Sequence, residues 1–130
     1  VGFAPGPLPT IRNNIIVAQP GSCASLHGVR ETGPSADPES FDTNDLWGMA
    51  GGLYINEGVG TLTTISQVNA LPEADGNIAC DPELDASGHL GASTCCVDAG
   101  SAVGSPETDF DGQPRPMGAA FEIGPDEVAP

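Results

Sequence analysis

A chain of 130 residues is long enough for one domain. Leu, Ile, Val and Phe supply only 27 of those residues while Gly and Pro supply 18 and 13, which excludes the thick core of a helical bundle or broad sandwich. With no Lys, three Arg (Arg12, Arg30, Arg115), 18 acidic residues and a formal net charge of −15, nucleic acid and anionic lipid surfaces are excluded as partners, because both are held through clustered cations.

Neutral glycans, divalent cations and basic proteins remain as partners, beside the plainer reading that acidity keeps an extracellular protein soluble. The longest wholly apolar run, Ile15-Ile16-Val17-Ala18, is far too short for a membrane span. No leader opens the sequence, so a secreted protein would carry it upstream or have lost it.

In chain order, residues 1–9 read as a linker. Short apolar or β-branched patches then follow at Thr10–Val17, Ser25–Val29, Asp45–Trp47, Leu53–Ile55, Thr61–Val68, Asn77–Cys80, Cys96–Ala99 and Phe121–Ile123. Gly, Pro, Asp and Ser fill the stretches between them, which is all-β punctuation. No window sustains a helical apolar face without a Gly or Pro breaking it. Asn14-Ile15-Ile16, Asn44-Asp45-Leu46 and Asn77-Ile78-Ala79 begin 30 and then 33 residues apart, a spacing that suits one coil of a β-solenoid. A recurrent Asn tolerates tight bends and bonds stacked Asn amides or neighbouring backbone. An immunoglobulin-like sandwich would also place short strands at regular intervals, so spacing leaves both folds open.

Cys23, Cys80, Cys95 and Cys96 favour an oxidising compartment. There is no C-x-x-C, and His27 and His89 lie outside zinc-finger spacing. A bond between the adjacent Cys95 and Cys96 is disfavoured by disulfide geometry. If two bridges form, Cys23 joins one of that pair and Cys80 the other, and the sequence does not choose between them.

Specific motifs separate the two folds. Ile11-Arg12-Asn13-Asn14-Ile15-Ile16, Asn44-Asp45-Leu46-Trp47-Gly48, Asn77-Ile78-Ala79-Cys80-Asp81-Pro82-Glu83-Leu84 and Cys96-Val97-Asp98-Ala99-Gly100-Ser101 occur in that order. Asp109-Phe110-Asp111-Gly112-Gln113-Pro114-Arg115-Pro116 and Phe121-Glu122-Ile123-Gly124-Pro125-Asp126-Glu127 follow them. The series, over residues 10–128, resembles the closing segment of bacterial right-handed parallel β-helix proteins of the choice-of-anchor repeat-region type. Met49 stands where that pattern has Asn.

The resemblance implies an all-β, right-handed parallel β-helix (solenoid) whose terminal coils carry long loops. Residues 1–130 would form a single segment of a longer protein, with coils over 10–100 and a closing, capping segment over 101–130. It further implies a secreted or cell-surface location and further coils of the same parent protein upstream as the partner. In the closing segment, Val97 and Ala99 would point inward with Cys96 and Asp98 outward, or the reverse. Phe121 and Ile123 would cover the last coil.

Candidate chemistry is sparse. Asp109 and Asp111 before Gly112 could supply oxygen ligands to calcium, although the cluster lacks the remainder of an EF-hand. The competing reading is an Asp-Gly turn with Asp109 or Asp111 paired to Arg115. Trp47 and Tyr54 could stack on a sugar ring if exposed, against an ordinary packing role. Asp42, Asp45 and Glu57 with His27 do not reproduce the order of a glycoside hydrolase site, and His89 reads as a solvated loop residue. No cofactor is implied beyond possible calcium. The expected function is a non-catalytic extracellular scaffold or interaction segment; the alternative is a carbohydrate-binding or carbohydrate-active β-helix whose groove lies mostly upstream.

Overall fold

Frequent Gly, Pro and Asp keep every strand to between two and five residues. The computed structural model describes residues 7–19, 21 and 24–129. Eight strands appear among them: β1 (Thr10–Arg12), β2 (Ile15–Val17), β3 (His27–Arg30), β4 (Ser40–Asp42), β5 (Asp45–Trp47), β6 (Gly52–Asn56), β7 (Gly60–Leu62) and β8 (Ala74–Asp75). One short helix, α1 (Ile65–Val68), stands between β7 and β8. The class is all-β, and none of the sheets closes into a barrel.

The sheets run β1-β4-β8, β2-β5 and β3-β6-β7. Every pair is parallel except β6 with β7. Thr10 lies beside Ser40 and Ile15 beside Asp45, and Asp45 forms a further parallel bridge to Ile78. Three successive stretches of chain therefore lie alongside one another in the register marked by Asn14, Asn44 and Asn77.

Because side chains alternate across a strand, each sheet sends one row inward. The rows are Ile11–Phe41–Ala74, Ile16–Leu46–Ala79 and Val29–Tyr54–Leu62, and all these side chains belong to one apolar core. Phe41 and Tyr54 meet edge to face, with ring centres 5.2 Å apart. The residue before each recurrent Asn is left-handed: Asn13 at φ 55°, Thr43 at 49° and Gly76 at 62°. That shared bend turns the chain from one sheet into the next.

Several expectations need correction. Ser40–Asp42 is a strand although its sequence reads mainly as turn, since its single apolar residue, Phe41, is wholly buried. The Thr61–Val68 patch divides into β7 and a helical turn, because Thr64 and Gln67 form a capping box. Residues 96–98 lie in a turn and residue 99 in irregular backbone, without strand alternation, and Phe121 makes only an isolated bridge to Gly100.

The closing segment also sits elsewhere than expected. Ile123 packs with Leu90 and Cys96 against Ile15 and Ile78, on the opposite side of the β2-β5 ladder from the main core. Gly124 N–H donates to Asn13 O at 3.0 Å, and Ser101 N–H donates to Asn13 Oδ1 at 2.8 Å. The segment thus runs laterally over Ile15, Asp45 and Ile78 in place of covering one end.

Candidate functional site

Asn14, Asn44 and Asn77 form a directional ladder. Asn14 donates from its backbone N–H and from Nδ2 to Asn44 Oδ1, both at 3.0 Å. Asn44 donates in the same way to Asn77 Oδ1, again at 3.0 Å. Asn77 donates to Asn69 Oδ1, and Asn69 Nδ2 returns a bond to Asn77 O at 2.8 Å. Asn69 is the C-cap of α1, so the helix sets the position at which the ladder ends. At the other end Asn14 is exposed, and no donor reaches its Oδ1 among the described residues. On that side β1, β2 and β3 are all edge strands.

Trp47 is 39% exposed, whereas Tyr54 is 1% exposed. Tyr54 faces the core and donates its hydroxyl to buried Glu31 at 2.6 Å, so its ring is not presented for stacking on a sugar. Burial, with help from Glu31, pushes the Tyr54 phenol well above its usual range. Trp47 and its register partner Val17 point outward and border a groove of about 830 Å³ with Asp81, Glu83 and Asp85. A second cleft of about 670 Å³ lies between the first strands and the closing segment. Its cations are already matched: Arg12 bonds Asp42, and Arg115 bonds Glu127 at 2.6 Å. It is therefore a poor anion site.

The proposed calcium pair is not brought to one centre. Asp109 is buried and accepts from three backbone N–H groups, those of Asp111, Gln113 and Glu127. It shapes the Asp-Gly turn and is committed to it. Asp111 turns away toward His89 Nε2 at 2.8 Å. Neither carboxylate takes Arg115, which is buried against Glu127 instead. Asp42, Asp45 and Glu57 likewise assemble no carboxylate pair, since Asp42 is tied to Arg12 and Asp45 lies beneath the closing segment.

Cys80 and Cys95 are disulfide-bonded. Cys96 is a buried free thiol that donates to Asp45 Oδ2 at 3.6 Å. Burial first, and then the neighbouring Asp45 charge, push that thiol up to about 12. The expected second bridge from Cys23 to Cys96 is not formed by Cys96, and Cys23 lies outside the described residues.

The sequence reading missed a buried carboxyl pair. Glu122 and Glu127 are both buried; Arg115 donates to the Glu127 carboxylate but reaches only the backbone carbonyl of Glu122. Burial, followed by the neighbouring Glu127, pushes Glu122 up to about 8. Burial also acts upward on Glu127, but bonds from Glu122, the Met117 N–H and Arg115 outweigh it and hold its carboxyl below the usual range. A polar pair buried by long loops leaves no periodic trace in sequence.

No family model matches the chain, and no match is found among curated proteins or solved structures. No helix among the described residues is long and apolar enough to cross a membrane.

Proposed function

We propose that this chain forms the closing coils of an extracellular right-handed parallel β-helix and serves as a non-catalytic scaffold or interaction segment at a cell surface, in the manner of the choice-of-anchor repeat-region proteins it resembles. The observation that carries the reading is the polarity of the asparagine ladder. It is terminated at Asn69 and left with an open acceptor at Asn14 Oδ1, on the side where β1, β2 and β3 are edges. On the other side β7 pairs antiparallel with β6, which ends that sheet. A preceding coil with an Asn in register would donate to Asn14 and pair all three edges. The Cys80–Cys95 bond supports an oxidising compartment.

Hydrogen exchange tests this reading. In this chain the outward-facing amides of β1, β2 and β3 should exchange rapidly. In a parent protein carrying one more coil they should slow at least roughly tenfold, because each gains a ladder bond. Unchanged exchange, or a crystal structure with facing antiparallel sheets, would reject it.

One observation favours a second reading, carbohydrate binding by a β-helix whose groove continues upstream: Trp47 is exposed beside Asp81, Glu83 and Asp85. The negative lining suits neutral sugars better than uronates. Trp47 is the sole Trp, so its fluorescence reports directly on the groove. A shift with neutral oligosaccharides that is absent in Trp47→Ala would support this reading, and no response across a broad panel would remove it.

A further inference from the structure

His89 lies between two carboxylates. Its Nδ1 is 3.3 Å from Asp85 Oδ2, and its Nε2 is 2.8 Å from Asp111 Oδ2. Asp85 is fixed in turn by the backbone, since its Oδ1 accepts from Ser87 N–H and His89 N–H at 2.8 and 3.0 Å. Phe110 lies beside the imidazole with ring centres 5.0 Å apart and planes tilted by 34°. A third carboxylate, Asp126, completes the group: ligand atoms of His89, Asp111 and Asp126 all lie within 4.8 Å of one another. Asp126 is 3% exposed, and its Oδ2 accepts from Leu90 N–H at 2.8 Å. No donor reaches its Oδ1 among the described residues.

Two features of this arrangement call for a cation. With Nδ1–H donated to Asp85, a neutral imidazole presents its Nε2 lone pair to the lone pairs of Asp111, which is repulsive unless a positive charge stands between them. A proton on Nε2 relieves that contact, but leaves three carboxylates around one imidazolium, with no donor to Asp126 Oδ1 among the described residues. A divalent ion held by Nε2 and by an oxygen from each of Asp111 and Asp126 answers both. Asp85 then takes the position of the carboxylate that orients a ligating histidine. Ligands about 2.0–2.1 Å from a tetrahedral ion stand about 3.3 Å from one another, between the 2.8 Å of the His89–Asp111 contact and the 4.8 Å within which all three ligand atoms fall.

We propose that His89, Asp111 and Asp126 form a binding site for a divalent transition-metal ion of the zinc class, with Asp85 as the positioning residue for His89. The imidazole nitrogen selects against calcium and magnesium, which take oxygen ligands. Three protein ligands leave a fourth position to water. The ion joins the loops that carry residues 85–90, 109–113 and 124–128, and so fastens the closing segment to the loop that borders the Trp47 groove. This differs from the calcium pair expected in sequence, because Asp109 takes no part.

The test uses the whole chain, stripped with chelator under non-reducing conditions so that Cys80 and Cys95 stay bonded and do not compete as thiols, while Cys96 is buried. Calorimetric titration with Zn²⁺ is expected to give one site per chain, with a raised melting temperature, and Ca²⁺ at tenfold excess should not displace it. Asp111→Asn changes an exposed side chain and should keep the fold while weakening Zn²⁺ at least roughly tenfold, as should His89→Gln; Asp85→Asn should weaken it about tenfold. Co²⁺ substitution should give visible d–d absorption that vanishes in His89→Gln. Absence of Zn²⁺ binding, equal binding by Asp111→Asn, or displacement by Ca²⁺ would overturn the proposal. A melting temperature lowered by His89→Gln but indifferent to Zn²⁺ would identify a protonated His89 clamp instead.

Discussion

Asn44 donates both its backbone N–H and its side-chain Nδ2 to the single oxygen Asn77 Oδ1, each at 3.0 Å. Asn44 is wholly buried, and its Nδ2 also reaches Ile11 O at 3.0 Å, so one amide links three stretches of chain. Removing it leaves buried donors and acceptors unsatisfied, each at a cost of about 1–3 kcal/mol. Asn44→Ala should therefore lose about 3 kcal/mol or more in urea unfolding, and Asn14→Ala, at the solvated end, about 1 kcal/mol. Equal losses at the two positions would contradict the ladder's graded burial.

Thr43 occupies the left-handed corner that Asn13 and Gly76 occupy in the neighbouring stretches. A β-branched side chain is strained there, whereas Asn and Gly are tolerated. Its hydroxyl donates to Asn13 Oδ1 at 2.8 Å, which offsets part of that strain. Thr43→Asn retains a donor and relieves the backbone. It should raise stability by about 0.5–1 kcal/mol, read as a higher urea midpoint at unchanged slope. Thr43→Val keeps the strain, loses the bond and should fall below the native chain.

How much of this was legible in the sequence follows from which contacts are local. The recurrent Asn, with Ile15–Ile16 and Asp45–Leu46 after it, marks the parallel register at the correct spacing, since each ladder Asn directly follows a left-handed bend and that local pair recurs in every stretch. Trp47, for which the sequence left stacking and ordinary packing both open, is exposed next to a turn glycine, Gly48 at φ 80°. The closing segment was not legible. Its apolar residues are few, and Ile123 finds Ile15 and Ile78 only through long loops. The Arg115–Glu127 pair and the His89 cluster join residues 12 to 37 positions apart across irregular backbone, where neither period 2 nor period 3.6 records a contact.

The Cys80–Cys95 bond closes a loop of 15 residues that carries Asp85 and His89. A loop of that length is worth about 3 kcal/mol in the chain-entropy account, so reduction should lower stability by about that amount. Cys96 should behave oppositely to an exposed thiol. It is buried, with its proton held toward Asp45 and its ionisation pushed up to about 12. Iodoacetamide at pH 8 should leave Cys96 unmodified in the folded protein and label it once urea unfolds the chain, as read by peptide mass mapping. Rapid native labelling at Cys96 would show that the closing segment does not stay seated on Asp45.

Glu122 makes stability depend on pH with a definite sign. Its Oε2 has no hydrogen-bond partner among the described residues, and its carboxyl lies against Glu127, which Arg115 already neutralises. Burial and that neighbour keep Glu122 protonated up to about 8, while the unfolded chain releases the proton near 4.5. Between those values the unfolded state binds fewer protons than the folded one, so stability must fall as pH rises, by up to about 1.4 kcal/mol per pH unit. Glu127 acts in the opposite sense: its lowered ionisation contributes stability above the usual carboxylate range that is lost in acid. Urea midpoints should therefore decline from about pH 5 to pH 8. Glu122→Gln, which stays neutral and can still donate toward Glu127, should flatten that decline and leave the variant more stable than the native chain at pH 8. An unaltered slope in Glu122→Gln would mean that Glu122 is already ionised in the folded protein, with Arg115 shared between both carboxylates.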